Sequence, residues 1–195
     1  MIRVLRSGSC LLITMAVLGG TACRLRRPDT VSIRMIEPQV VEPDGSGTKS
    51  SNTTPVRLLQ TLARGHIGRR VLHRQPNGEL TVDPVWQWAS ALDRYLDTVL
   101  RLELASSPDW RLVDSANAPS LAATLLVWDL ESEGETRLFG AVEFQFTGTD
   151  RVVHTQVTRA SEPVSAELPG DLAVAAGHLL HHLASEGITF MAKER

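Results

Sequence analysis

Three β segments in the second half of the chain follow in close succession, separated only by short polar connections: Leu121–Leu130, Arg137–Phe146 and Arg151–Arg159. In a strand every second side chain lies on one face, which is the pattern the middle segment shows. The connections Glu131–Thr136 and Thr147–Asp150 are short enough for hairpins, and the three strands together predict an antiparallel meander. Val142, Phe144 and Phe146 alternate with Ala141, Glu143 and Gln145, which gives the middle strand one buried and one partly wet face. Leu125, Leu126, Val127 and Trp128 are apolar on both faces, as expected of a central strand or of one that meets a partner.

A sheet of this kind needs cover for its apolar face, and two segments are patterned to supply it. Asp83-Pro84 reads as a helix start, because Asp can cap free N–H groups and proline at the first helical position loses no needed donor. Val85, Trp88, Ala89, Leu92, Leu96, Val99 and Leu100 then recur at three- and four-residue spacing, which predicts a helix to about Leu104. After Pro169-Gly170, Asp171 can cap a closing helix with Leu172, Ala176, Leu179 and Leu183 as its buried stripe and Gly187 as its end. Shorter pieces precede and separate these: an alternating strand Val31–Ile36 stopped by Pro38, ordered pieces at Leu58–Leu62 and Arg69–Arg74, a Pro76-Asn77-Gly78 turn into Glu79–Val82, and a strand at Trp110–Val113. The expected fold class is α/β: a single-layer mixed, largely antiparallel sheet with two main helices packed on one face.

The N-terminus has a different character. Arg3 and Arg6 precede the apolar run Leu11–Leu18, which gives way to Gly20-Thr21-Ala22 and then Cys23. A positive n-region, a short h-region and a small-residue exit make residues 1–22 a signal peptide, and the run is too short for the roughly 20 residues that span a bilayer as a helix. Cys23 would then be the only cysteine left in an exported chain, since Cys10 leaves with the signal. A thioether to diacylglycerol is the role assigned to it, with residues 23–30 as lipidated N-terminus and tether and 31–195 as one α/β domain. Ordinary secretion and an uncleaved N-terminal helix remain the competing readings, because Gly20 stands where a lipobox usually has Leu.

Candidate chemistry is sparse. The loop Glu42–Asn52 contains Gly47-Thr48-Lys49-Ser50, but glycine and lysine are not adjacent and the first glycine is misplaced for a phosphate loop. No Gly-x-Ser-x-Gly elbow is present. A formal net charge of −2 and the lack of a basic stripe interleaved with aromatics exclude nucleic acid as an expected partner. His178, His182 and Glu186 lie a turn apart and could share a metal, against the alternative of a solvated helix face with histidines favoured near a C-terminus. Trp86 and Trp88, placed on a helix, would point to nearly opposite sides, so that one of them either lies partly exposed on the sheet edge or covers a groove or partner surface.

Arg64-Gly-His-Ile-Gly-Arg-Arg-Val-Leu-His-Arg74, followed by Gly78-Glu-Leu-Thr-Val-Asp-Pro-Val-Trp-Gln-Trp-Ala89, resembles the ABC-type transport auxiliary lipoproteins, the PqiC-like family. The matching positions are Ile67, Arg69, Val71, Leu72 and Arg74, then Trp88, Ala89 and Leu92; the order of hairpins and closing helix extends the resemblance from about Leu58 onward. The chain departs from that family at Gly20 and in lacking a tyrosine-rich strand soon after the cysteine. The resemblance implies a non-catalytic lipoprotein, without a cofactor, that works with an MCE-domain protein and an ABC transporter permease and ATPase in lipid transport. It places the protein facing the periplasm, with Arg24 after the cysteine favouring the outer membrane, and suggests docking around Arg69, Arg74, Trp86 and Trp88. Self-association into a homo-oligomer is left open. The rival readings are a metal-dependent periplasmic enzyme on the His178, His182 and Glu186 face and a general structural envelope lipoprotein.

Overall fold

The computed structural model describes residues 32–40, 53–132, 134–165 and 169–195. The expected signal peptide, Cys23 and the expected tether, and the whole of the loop Glu42–Asn52 lie outside the described residues. The chain forms β1 (Arg34–Ile36), β2 (Thr54–Leu58), β3 (Leu62–Ala63), β4 (Arg70–Arg74), β5 (Leu80–Trp88), α1 (Leu92–Ser106), β6 (Trp110–Leu112), β7 (Ser120–Glu131), β8 (Arg137–Thr147), β9 (Val153–Pro163) and α2 (Gly170–Lys193). The fold class is the one the sequence predicts, a mixed α/β fold with a large, mostly antiparallel sheet and two helices.

The meander is present and sets the frame. β7 and β8 pair antiparallel from Ser120↔Thr147 to Glu131↔Arg137, and β8 and β9 pair from Arg137↔Pro163 to Thr147↔Val153. The other edge of β7 is shared in turn by three short strands, all parallel to it: β2 opposite Ser120 and Leu121, β3 opposite Thr124 and Leu125, and β4 opposite Leu130 and Glu131. β6 extends the sheet beyond β2, while β5 and then β1 extend it beyond β4. Within the apolar stretch Leu125 to Trp128 the irregularity between Leu125 and Val127 moves the core face by one position, so Leu125 and Trp128 are buried while Leu126 and Val127 are half-buried.

Both helices lie on one face. Leu92, Leu96, Val99, Leu100 and Leu104 of α1 are buried, and α1 packs on α2 and on the sheet beside β3 and β6. Leu172, Ala176, Leu179 and Leu183 of α2 are fully buried over β8 and β9. Their partners are the alternate residues of the meander: Leu121, Ala123, Leu125 and Trp128 of β7 with Val142, Phe144 and Phe146 of β8. Trp110 and Phe146 meet edge-to-face, with ring centroids 6.2 Å apart.

Two helix boundaries differ from expectation, each for an identifiable reason. Asp83-Pro84 does not begin α1; it lies within β5. Asp83 Oδ1 does accept backbone N–H groups, those of Val85 and Trp86 at 2.8 Å each, but these bonds shape an irregularity in a strand, where the β4–β5 register shifts between Arg70 and Leu72. β5 then continues through Trp88, which donates its N–H to the Arg69 carbonyl at 2.7 Å, and α1 starts only after Ala91. Val85, Trp88 and Ala89 therefore fit the helical spacing by coincidence. Gly187 does not end α2, which runs on to Lys193. A Cβ there would stand 2.6 Å from the Phe144 ring, so the glycine serves close packing of helix on sheet rather than a C-terminal cap.

A second close approach pins the N-terminal segment. Gln39 donates its N–H to the Ala173 carbonyl at 2.9 Å, and a Cβ on Gly177 would lie 2.0 Å from the Gln39 carbonyl oxygen. Alanine at a helix interior ordinarily gains about 1 kcal/mol over glycine. Here Gly177→Ala is expected to lose about 1–3 kcal/mol in urea unfolding, the usual cost of overpacking. It should also expose the Gln39 amide to hydrogen exchange by lifting residues 37–40 off the helix.

Candidate functional site

The four residues expected to form a docking surface are split by the structure. Trp88 is 1 % exposed and belongs to the core, where its ring meets Trp128 edge-to-face at 6.2 Å. Trp86 is two residues earlier on the same strand, so it shares a face with Trp88 instead of opposing it. It sits half-buried at the sheet margin with the Arg34 guanidinium of β1 5.5 Å from its ring centre. Arg69 closes the same corner: its Nε donates to the Trp88 carbonyl at 3.2 Å and a terminal nitrogen reaches Met35 Sδ at 3.6 Å. The guanidinium thereby ties the loop before β4 to both β5 and β1.

Arg74 is at the far end of β4, about 16 Å along an extended chain from Arg69. It is engaged internally, donating to Asp129 Oδ2 at 2.5 Å with its Nε 3.4 Å from Glu131 Oε1. Asp129 is 2 % exposed, so the guanidinium supplies the countercharge that its burial demands. The hydrogen bond to Asp129, reinforced by both carboxylate charges, raises the Arg74 pKa against the opposing effect of burial. Parallel pairing of His73 with Leu130 and of Arg74 with Glu131 is what brings these side chains together.

On the same hairpin, His73 Nε2 lies 3.0 Å from Asp83 Oδ2. Burial by itself would push the Asp83 carboxyl up. The N–H groups of Trp86 and Val85, with the hydrogen bond and charge of His73, outweigh it and hold the group below the ordinary carboxylate range.

His178, His182 and Glu186 all lie exposed on the outer surface of α2. Among the described residues, no three His, Cys, Asp or Glu side chains are grouped to hold a metal ion. The inward-facing histidine of that helix is His181, whose Nδ1 is 2.9 Å from Glu103 Oε1 of α1 and links the two helices. His154 on β9 is likewise paired, 2.7 Å from Glu194 at the end of α2. These carboxylates and imidazoles are joined pair by pair, each bridging two elements, and do not converge on one cavity.

Sequence reasoning missed a concave surface on the side of the sheet away from the helices. Ile36 is in the core, so Met35 and Ile33 point the other way, and they are 55 % and 53 % exposed. Met35 is level with Gln87, and Gln87 with Arg70, across β1, β5 and β4. Beyond Arg70 lies a groove of about 550 Å³ lined by His66, Arg69, Arg70, Leu72, Leu80 and Val82. The signal was available in the sequence, since Arg64 to Arg74 holds several arginines and no carboxylate. No helix among the described residues is long and apolar enough to cross a membrane.

No family model matches the sequence, and no curated protein matches it. Solved structures do. A Xanthomonas campestris protein of the DUF330 family superposes with a TM-score of 0.66 at 18 % identity, covering 84 % of this chain and 97 % of that one. An uncharacterized protein gives 0.61 at 12 % identity, with 84 % and 99 % covered. A hypothetical protein of Chlamydia trachomatis gives 0.52 at 11 % identity, with 71 % and 95 % covered. The chain shares the fold of these proteins, and the shared part is nearly the whole of each.

Arg74→Met leaves Asp129 buried without its countercharge. It is expected to cost at least about 2 kcal/mol in denaturant unfolding, below the roughly 3–5 kcal/mol of a wholly buried pair because Arg74 itself is 31 % exposed. Restoring an apolar pair with Arg74→Met/Asp129→Leu should recover most of that loss. The depressed Asp83 pKa has a defined sign: its stabilisation is fully present above the unfolded carboxyl pKa of about 3.9 and is lost as pH falls through the lower folded value. Asp83→Asn should therefore flatten the acid limb of a stability profile recorded below about pH 5.

Proposed function

We propose that this chain is a non-enzymatic lipoprotein of the cell envelope, anchored through a diacylglycerol on Cys23, and an accessory subunit of an MCE- and ABC-type lipid transport system. The observation that carries the proposal is the seam Gly20-Thr21-Ala22-Cys23 between an apolar run and a charged tether. The DUF330 fold of the Xanthomonas campestris protein supports it, being shared over nearly the whole of that chain. The pairwise use of histidines and carboxylates also fits a protein that binds rather than catalyses. In this reading the anchor is in the outer membrane and the domain faces the periplasm. The partners are the MCE-domain protein and the transporter permease and ATPase, with ATP hydrolysis done by the last.

Of the docking residues expected from the sequence, Trp86 is the one with both an aromatic face and surface access, and with Arg34 it forms the contact assigned to the protein partner. Arg69 and Arg74 position their loop and strand, and Trp88 fills the core.

Intact mass of the protein isolated from membranes should show an acylated N-terminal cysteine, and Cys23→Ala should lose the acyl mass and leave the membrane fraction. A Cys23→Ala chain that stays membrane-bound with peptides beginning before residue 23 would sink the lipoprotein reading. In intact envelopes, crosslinking from position 86 should capture an MCE-domain protein; capture of no transport component counts against the transport role.

A further inference from the structure

We infer that the helix-free face around Met35, Arg70 and Val82 rests on an anionic lipid surface. Three observations converge on it. First, this face combines apolar and cationic side chains in the way a membrane-surface contact requires. Ile33, Met35 and Val82 are 53 %, 55 % and 45 % exposed, and Arg69 and Arg70 are exposed beside them. Large apolar residues exposed next to arginines are poorly placed in water but well placed at a headgroup boundary, where the apolar parts enter and the guanidinium groups meet phosphates.

Second, cations exceed carboxylates here: Glu37, whose charge acts with that of Arg69 on Tyr95, is an acidic group at the β1 corner, and Arg70 is left unpaired. Arg64–Arg74 contains no carboxylate. The acidic groups of the adjoining hairpin are held elsewhere: Asp83 lies against His73, and Glu79 is at the turn beside Asn77. Among the described residues Arg70 makes no side-chain hydrogen bond or ion pair, whereas Arg74, on the same strand, is fully engaged by Asp129 and Glu131.

Third, the chain outside the described residues joins the domain at this face. It enters through Ile33 and Met35, and the segment leading to them carries Arg24, Arg26 and Arg27 against a single Asp29. Juxtamembrane basic residues add roughly a factor of five each to affinity for an anionic surface. The inference draws on the Cys23 anchor only for orientation, and the contact itself holds without acylation.

The test uses the full chain carrying Cys23→Ser, so that its outcome does not depend on lipidation. Binding is measured by cosedimentation with vesicles of phosphatidylcholine alone and of phosphatidylcholine with about 30 % phosphatidylglycerol. Tighter binding to the anionic vesicles is expected, falling as salt rises. Arg70→Glu and, separately, Ile33→Asp should each weaken it about tenfold. Thermal unfolding of both variants should match the parent, since both side chains are exposed. If the parent prefers neither vesicle, or if both variants bind as the parent does, the inference is overturned. Loss of partner crosslinking in Arg70→Glu with vesicle binding intact would likewise overturn it and assign the face to a protein.

Discussion

The fold depends on β7 having both edges paired and its helix-side face buried. A buried strand must place every N–H and C=O in a hydrogen bond, and on one edge of β7 a single partner, β8, does this along the whole length. The other edge is completed in three instalments by β2, β3 and β4, so the stretch from Thr54 to Arg74 is committed to run alongside β7 in the same direction. It cannot do so as one straight strand. The loop between β3 and β4 leaves the sheet, buries Ile67 in the core as a plug, and turns its arginines and glycines outward. Its Arg64 N–H nevertheless returns to the Leu125 carbonyl at 3.0 Å, close to the irregularity between Leu125 and Val127. The basic surface described above is thus a by-product of how β7 is paired.

The same constraint explains which parts of the molecule were legible in the sequence. The meander was, because alternation over long runs with short connections admits one local solution, and Val142, Phe144 and Phe146 are buried as the pattern requires. So were the apolar stripes of both helices, whose period is independent of what lies beneath them. The parallel attachment of β2, β3 and β4 was not. Strands of two to five residues carry no periodicity to read, and their partner lies tens of residues away. The start of α1 was misread because Asp followed by Pro signals local N–H capture without saying whether a helix or a bent strand follows, and β5 took the second option. That one error also reversed the relation of Trp86 to Trp88, since residues two apart share a face on a strand and nearly oppose one another on a helix.

For the site the lesson is different. Arg69 and Arg74 stand out in the sequence as exposed cations in a short motif, but both are consumed by structure, one locking the corner between β1 and β5 and the other neutralising Asp129. A sequence motif records that a residue type matters, whereas only its partners tell whether it matters to the fold or to something outside it. Arg70, like Arg64, is an arginine of that stretch whose side chain has no hydrogen-bond or ion-pair partner among the described residues. The histidines divide in the same manner: His73, His154 and His181 each bridge two elements, while the exposed His178 and His182 face solvent.

How β1 is held bears on what the domain can do once its N-terminus is tied to something. β1 is a short parallel addition at the end of the sheet, which alone would be a weak attachment. It is reinforced on three sides: Ile36 sits in the core beside Trp88, the Ala89 N–H donates to the Ile36 carbonyl at 2.7 Å, and Gln39 is bonded to α2 over Gly177. Arg69 adds a fourth tie through Met35. A strand fastened to both the sheet and the closing helix passes any constraint on the preceding chain to the whole domain rather than peeling away under it. That makes the entry point at residues 33–36 a fixed reference for orientation, and it is the reason a weak contact by the neighbouring face can be effective: once the entry point is held near a surface, the face meets that surface at high local concentration instead of by free diffusion.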